Sequence, residues 1–199
     1  SITQDKFERV IKLGFAKKPG DEIKKYLIFE LMGKHSNIFY LDKDYKVIAV
    51  GKQIKSNQSS FRTVSTGSIY SEPPTNMKKE PNEEESFESW KESISTVPES
   101  LKKCLINTYQ GVSPILTRQI ESLSNLSDYE IMNKNIELIS EKHLKEIYKI
   151  WKIWINRFKT NKFNFTKLDN FFYCVWFLKS ETLNKQFIDL EDGLENYYD

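Results

Sequence analysis

An α+β fold is predicted for this 199-residue chain because the spacing of its apolar residues changes along the sequence. Up to about residue 54, short apolar runs alternate with turn residues, which is typical of antiparallel strands. Residues 56–85 lose this pattern and contain Pro73, Pro74 and Pro81, which disfavour regular helix. Apolar residues then recur at helical intervals. The sequence therefore predicts an antiparallel β-sheet subdomain, then a helical region, a late strand and a closing helix.

The first sheet is expected to hold four strands. Residues 7–15 alternate over much of their length, and residues 26–32 form a second apolar run. Two further runs, 38–41 and 47–50, flank the polar residues 42–46, a connection of the kind that closes a hairpin. These strands are expected to form a meander.

Helices are predicted over residues 87–94, 98–109 and 113–123, where Pro98 and Pro114 suit first-turn positions. The clearest helix covers residues 141–158, which carry an apolar face and an opposite face of lysines. Those lysines are Lys142, Lys145, Lys149 and Lys152. The lysine face can be a solvated surface or a surface that contacts phosphates.

The tail returns to strand character at residues 171–178, which we expect to rejoin the first sheet, and residues 186–198 are expected to close the chain as a helix. The predicted organisation is a β-sheet part at 1–72, a linker at 73–95, a helical region with a helix-hairpin-helix at 96–165, and the returning strand and closing helix at 166–199.

Composition restricts the possible functions. The net charge is only +2, so nucleic-acid binding must depend on local basic patches. No apolar run is long enough to span a membrane and no signal-peptide pattern is present, which favours a cytoplasmic protein. Cys104 and Cys174 are expected to be reduced thiols in the core, and His143 has no neighbours at metal-ligand spacing. No metal or cofactor is predicted, and without a recognisable catalytic motif the chain is not expected to be an enzyme.

The residues Glu-Leu-Met-Gly-Lys-His-Ser-Asn-Ile at 30–38 run from a strand through a turn into another strand. Together with Glu8-Arg9, the spacing of Arg62, Gly67, Tyr70 and the Pro pair, and Gly-Val-Ser-Pro at 111–114, they resemble the NFACT family, also called fibronectin-binding protein A. The resemblance covers most of the chain but only part of the family's architecture. It implies a ribosome quality-control factor that binds tRNA, alanyl-tRNA by resemblance, and the obstructed large ribosomal subunit during alanine tailing.

The resemblance implies that Arg9 binds the phosphates of tRNA, with Glu8 orienting it, although the family usually has Asp at that position. Guanidinium chemistry suits this role because its planar fork can hold a phosphate by two hydrogen bonds. The alternative for this pair is a cross-strand salt bridge. If both residues lay in a strand, their side chains would point to opposite faces unless a bulge turned them.

Two turns are candidate phosphate sites. In the first, Gly33 and Asn37 are expected to take unusual backbone angles, so that the turn presents amides and charged groups to phosphate. In the second, the turn at 111–114 leaves helix amides that can bind a backbone phosphate. The full set predicted to contact RNA is Glu8, Arg9, Lys34, His35, Asn37, Arg62, Lys102, Lys103, Arg118, Lys145, Lys149 and Lys152.

Three other functions remain open. The family's older name implies an adhesion protein that binds fibronectin. The family's fold also resembles that of DNA glycosylases, which use an amino-terminal proline as nucleophile, and no residue of this chain is expected to take that role. The third is a non-catalytic structural module that precedes a coiled coil.

Overall fold

The computed structural model describes residues 1–4, 7–54, 62–73, 77–124, 126, 130–160, 166–168, 172–174, 185–186 and 190–198. The chain divides into two compact units, Ser1–Met77 and Lys78–Asp199. The first contains an antiparallel sheet and the second contains the helices and a small second sheet, so the predicted α+β class is confirmed.

The first unit is a five-stranded antiparallel meander in sequence order. Its strands are β1 (Ile2–Gln4), β2 (Val10–Phe15), β3 (Lys25–Glu30), β4 (Asn37–Asp42) and β5 (Val47–Val50). The four strands predicted are present, and the prediction omitted β1, whose three residues are too few for an alternating pattern to be recognised. Residues 42–46 close the hairpin between β4 and β5, as predicted.

One face of this sheet is the core of the first unit. Val10, Ile28 and Phe39 lie on that face of successive strands, and they are buried together with Leu41 and Val47. Val64 and Tyr70, which follow the sheet in sequence, complete the buried cluster. Since side chains alternate across a strand, the residues between these face the other side.

The second strand begins three residues later than predicted. Phe7 has a φ of 57°, a left-handed conformation that a strand does not accommodate. Residues 7–9 therefore form an irregular connection between β1 and β2, and the regular ladder begins at Val10.

The second unit contains five α-helices among its described residues. They are α1 (Phe87–Ile94), α2 (Leu101–Thr108), α3 (Pro114–Leu123), α4 (Glu141–Thr160) and α5 (Leu190–Tyr198). Pro114 occupies the first turn of α3, as predicted. The prediction for Pro98 is wrong, because Ser100 is the N-cap of α2 and Pro98 lies before it.

Large aromatic side chains fill the helical core. Trp151 of α4 is fully buried and packs against Tyr109, with ring centroids 4.7 Å apart, and against Trp154, at 4.8 Å. Trp90 of α1 lies 6.3 Å from Trp151 by ring centroids. The predicted apolar face of α4 is thus confirmed, with Leu144, Ile147, Trp151, Trp154 and Ile155 buried.

The late strand does not rejoin the first sheet, so that prediction is wrong. It is described as β7 (Phe172–Cys174), which pairs with β6 (Thr166–Leu168); β8 (Lys185–Gln186) lies on the other side of β6. A hairpin partner a few residues away costs less loop-closure entropy than a distant sheet edge, which favours local pairing. The rest of the predicted strand at 171–178 lies outside the described residues.

Cys104 is buried and free, as expected of a core thiol, and burial raises its pKa. The side chain of Cys174 lies outside the described part of the chain. Among the described helices, none combines the length and apolar character needed to cross a membrane.

Candidate nucleic-acid interface

One end of the first sheet gathers several of the predicted RNA-binding residues. In the ladder, Val10 pairs with Glu30, and Glu30 pairs with Asn37. The amide of Leu31 donates to the carbonyl oxygen of Arg9 at 2.8 Å, so Arg9 lies beside the connection between β3 and β4. That connection carries Lys34 and His35. The meander therefore brings Glu8, Arg9, Lys34, His35 and Asn37 to the same end of the sheet.

The connection between β3 and β4 is a tight turn with internal hydrogen bonds. Gly33–His35 forms one turn of 3₁₀ helix, in which Gly33 has a φ of 59°. The Met32 amide donates to Ser36 Oγ at 2.9 Å, and the Ser36 amide donates to the carbonyl oxygen of Gly33 at 2.9 Å. Lys34 and His35 are both exposed on this turn. Its own hydrogen bonds therefore hold the turn while both side chains face solvent.

The side chain of Asn37 is occupied within the protein. Its Nδ2 donates to the carbonyl oxygen of Lys52 at 2.8 Å, and its Oδ1 accepts from the amides of Lys52 at 2.9 Å and Ile38 at 3.0 Å. Gly33 has the predicted unusual backbone angle, whereas the prediction for Asn37 is wrong because it begins β4 with a negative φ. A side chain with this many backbone partners acts in positioning the chain.

Glu8 and Arg9 precede β2, so strand alternation does not separate their side chains. Arg9 is exposed and Glu8 is half-buried, with the Glu8 carbonyl oxygen accepting a hydrogen bond from Gln4 Nε2 at 2.7 Å. Neither residue takes part in an ion pair of the described residues. The backbone is irregular from Phe7 onward, so Glu8 and Arg9 need not point to opposite faces as they would in a strand. Their side chains can therefore contact the same ligand.

Arg62 occupies a different environment from the other predicted contacts. Its guanidinium forms an ion pair with Glu30, whose side chain is 1% exposed, and donates to the carbonyl oxygen of Ser71. Tyr70 OH donates to the other Glu30 oxygen at 2.9 Å. Burial, followed by the Glu30 charge, raises the pKa of Tyr70. Arg62 therefore fastens the segment after β5 onto the core, and this geometry gives it a structural role.

The predicted hairpin in the second unit lies between α2 and α3. Gly111 has a φ of 72°, and Ser113 caps α3 by accepting from the Leu116 amide at 3.2 Å. Arg118 is exposed on α3. On α2, Lys102 is half-buried, and Lys103 lies 3.4 Å from Glu99. This capping hydrogen bond already satisfies the Leu116 amide, one of the helix amides that were predicted to bind a phosphate.

The predicted lysine face of α4 is largely compensated by acidic partners. Lys145 lies 2.8 Å from Glu141, and Lys149 lies 2.7 Å from Glu146. Hydrogen bonds from Lys145, then from Lys91, lower the pKa of Glu141 to about 2. Lys152 Nζ lies 5.6 Å from the centroid of the Tyr148 ring and 3.5 Å from the carbonyl oxygen of Glu85. This arrangement favours the solvated reading of the face.

Glu85 is a buried acidic residue that links the helices, and no sequence pattern indicates this role. Its carboxylate accepts from Tyr109 OH at 2.9 Å to each oxygen and from Lys79 Nζ at 2.6 Å. Its carbonyl oxygen accepts from Tyr148 OH on α4. Burial and the Glu85 carboxylate raise the pKa of Tyr109. Glu85 lies in a stretch rich in acidic residues, so its role could only be recognised from three-dimensional contacts.

The fold defines the class of protein as an α+β chain that joins an antiparallel meander to a helical unit. The family comparison is more specific, because a model of the NFACT N-terminal and middle domains matches residues 1–199. The chain therefore belongs to the NFACT family.

Curated relatives carry the name Rqc2 homolog RqcH. The protein from Streptococcus pneumoniae serotype 2 (strain D39 / NCTC 7466) is 33% identical over 129 residues, which cover 62% of this chain and 22% of that protein. The Bacillus subtilis (strain 168) protein is 33% identical over 110 residues, covering 55% of this chain and 19% of its own length. These matches thus span about a fifth of the relatives' length.

Two solved structures share the fold over all of this chain. A fibrinogen binding protein from Staphylococcus aureus has a TM-score of 0.69 at 23% identity, with 69% of its chain covered. The N-terminal part of a fibronectin/fibrinogen-binding protein from Streptococcus suis has a TM-score of 0.64 at 24% identity, with 66% covered. At these identities the likeness supports the fold alone.

Proposed function

We propose that this chain is the RNA-binding part of a cytoplasmic ribosome quality-control factor. It binds tRNA and the obstructed large ribosomal subunit and supports alanine tailing of stalled nascent chains. Membership of the NFACT family and similarity to proteins named Rqc2 homolog RqcH support this proposal. In this role the chain binds and positions RNA, and peptide-bond formation belongs to the ribosome.

The observation that carries the proposal is the pair of exposed cations at one end of the first sheet. Arg9 and Lys34 lie on neighbouring connections, and neither forms an ion pair with the described residues. A cation without an acidic partner can neutralise a phosphate without first breaking an ion pair. The hydrogen-bonded turn at Gly33–His35 holds one of them in place, which limits the entropy lost on binding.

The second unit offers additional contacts. Arg118 is exposed on α3, which begins after the turn at 111–114. We expect such contacts to add affinity, since helix N-termini and nearby basic groups favour phosphates. Arg62 is not included among the proposed contacts, because Glu30 and Ser71 occupy its guanidinium.

Direct RNA-binding measurements test the proposal. The full-length protein should bind tRNA more tightly than a random RNA of equal length, and the affinity should fall steeply as salt is raised. Equal affinity for the two RNAs would reduce the proposal to non-specific phosphate binding, and no binding at all would contradict it.

An adhesion function is the second candidate, because the two structural neighbours are named for binding fibrinogen or fibronectin. It predicts saturable binding of the full-length protein to immobilised fibronectin, with no preference for tRNA. Running both assays on the same preparation separates the two candidates.

A further inference from the structure

Lys52 lies at the same sheet end as Arg9 and Lys34, although its sequence context gave no reason to select it. It follows β5, which pairs with β4 through Phe39 and Val50. The amide of Gly51 donates to the carbonyl oxygen of Ile38 at 2.9 Å, which continues the ladder toward the start of β4. Because β4 starts just after the Lys34 turn, this pairing brings Lys52 to that end.

Asn37 fixes the backbone of Lys52 at both of its polar groups. The amide of Lys52 donates to Asn37 Oδ1 at 2.9 Å, and its carbonyl oxygen accepts from Asn37 Nδ2 at 2.8 Å. The two hydrogen bonds close a ring between a side-chain amide and one peptide residue. The base of the Lys52 side chain is therefore held in place beyond the last regular pair of β5.

The Lys52 side chain itself is exposed, and no ion pair or side-chain hydrogen bond of the described residues involves its ammonium. Two lysines at the opposite end of the sheet have an acidic neighbour: Lys24 pairs with Glu22, and the charge of Lys43 contributes to lowering the pKa of Glu22. Two hydrogen bonds hold the Lys52 backbone, and its ammonium has no acidic partner among the described residues. This combination distinguishes Lys52 from these two lysines.

The width of the sheet sets the spacing of these cations. Arg9 and Lys52 extend from β2 and β5, which are separated by three strand intervals of roughly 4.8 Å each, or about 14 Å. Lys34 lies on the connection between them. That distance exceeds the roughly 3.4 Å axial rise per phosphate along one strand of a duplex. The three side chains can therefore contact different phosphates of one RNA.

We infer that Lys52 contacts a phosphate of the bound RNA and that Asn37 is the positioning residue that holds Lys52 in place. This inference rests on the proposed function and deepens it by adding a third cation to the same interface. It also gives Asn37, which was predicted to contact RNA, an indirect role.

The test compares Lys52→Gln with the matched control Lys43→Gln at the opposite end of the sheet, in the full-length protein. Binding to tRNA is measured across a salt series. Lys52→Gln should reduce the slope of log affinity against log salt by about 0.7 to 0.9, the effect of one lost phosphate contact. Between about 50 and about 200 mM salt, the wild type should therefore lose about threefold more affinity than the variant. Lys43→Gln should keep the wild-type slope.

Asn37→Ala adds a readout that a purely structural effect does not reproduce. It should weaken tRNA binding in the wild-type background and have no further effect in a Lys52→Gln background, since Asn37 acts through Lys52. Additive losses would overturn the positioning role.

The remaining outcomes separate this inference from the proposed function. If Lys52→Gln keeps the wild-type slope while Arg9→Glu loses binding, the inference is wrong and the proposed function stands. If Lys43→Gln matches Lys52→Gln, the effect is one of overall charge and the inference fails. If the wild-type protein does not bind tRNA, the proposed function and the inference both fail.

Discussion

Glu30, Arg62 and Tyr70 form a buried polar group on the core face of the first sheet. Tyr70 is 7% exposed, and its hydroxyl donates to a carboxylate that is already paired with a guanidinium. Burial and the Glu30 charge oppose the tyrosinate form and raise the pKa of Tyr70 above its ordinary value of 10.0. The protonated hydroxyl is therefore part of what stabilises this unit.

This pKa shift gives stability a pH dependence at the alkaline end. Above about pH 10 the unfolded chain releases the Tyr70 proton while the native state keeps it, so the free energy of unfolding decreases as pH rises. The decrease attributable to one such tyrosine is about 1.4 kcal/mol per pH unit. Tyr70→Phe should be less stable at neutral pH by about 1 kcal/mol, because Glu30 loses a donor.

Urea unfolding followed by circular dichroism, from pH 8 to pH 12, checks this. The stability advantage of the wild type over Tyr70→Phe should shrink above about pH 10 and reverse at about pH 11, since only the wild type loses stability through Tyr70. Parallel curves over the whole range would mean that the Tyr70 pKa is the same in the folded and unfolded chains.

At the scale of elements, Glu85 connects the start of α1 with the end of α2 and the middle of α4. Its carboxylate is 4% exposed and binds Tyr109 and Lys79, while its carbonyl oxygen accepts from Tyr148. Three elements thus meet at one residue, which accepts through both its carboxylate and its carbonyl oxygen. Removing a buried carboxylate lowers the free energy of unfolding most when its charged and hydroxyl partners are left unsatisfied.

Glu85→Ala should therefore lower the free energy of unfolding of the second unit by about 3 kcal/mol. The neighbouring Glu84 is exposed, so Glu84→Ala should change stability by less than about 0.5 kcal/mol. Both are measured by urea unfolding with tryptophan fluorescence, because all four tryptophans lie in the second unit. Equal stability of the two variants would show that the Glu85 carboxylate does not stabilise the second unit.

The elements also show what the sequence alone could predict. Strand alternation and helical spacing are local properties, so the meander and α4 were predicted correctly from them. The partner of β7 is a long-range choice that local pattern does not encode, and the prediction that it rejoins the first sheet failed. The candidate site follows the same division. Arg9 and Lys34 lie in recognisable motifs, whereas Lys52 lies in none and is linked to them only by long-range contacts, the β4–β5 pairing and the hydrogen bonds from Asn37.

At the scale of the whole molecule, charge is nearly balanced, with 30 basic and 28 acidic residues. The proposed RNA affinity must therefore depend on where cations lack acidic partners. The two candidate surfaces differ in this respect. On α4, Lys145 and Lys149 are paired with Glu141 and Glu146, whereas Arg9 at the sheet end has no such partner among the described residues.

Charge reversal at one residue of each surface distinguishes them. Arg9→Glu removes the proposed phosphate contact and places an anion beside Glu8, so tRNA affinity should fall and the salt slope should decrease by about 1. Lys149→Glu should change tRNA affinity little, because the wild-type ammonium is already engaged by Glu146. Titrations of the full-length protein at several salt concentrations measure both. A large loss in Lys149→Glu with none in Arg9→Glu would move the interface to α4, and no loss in either would contradict both assignments.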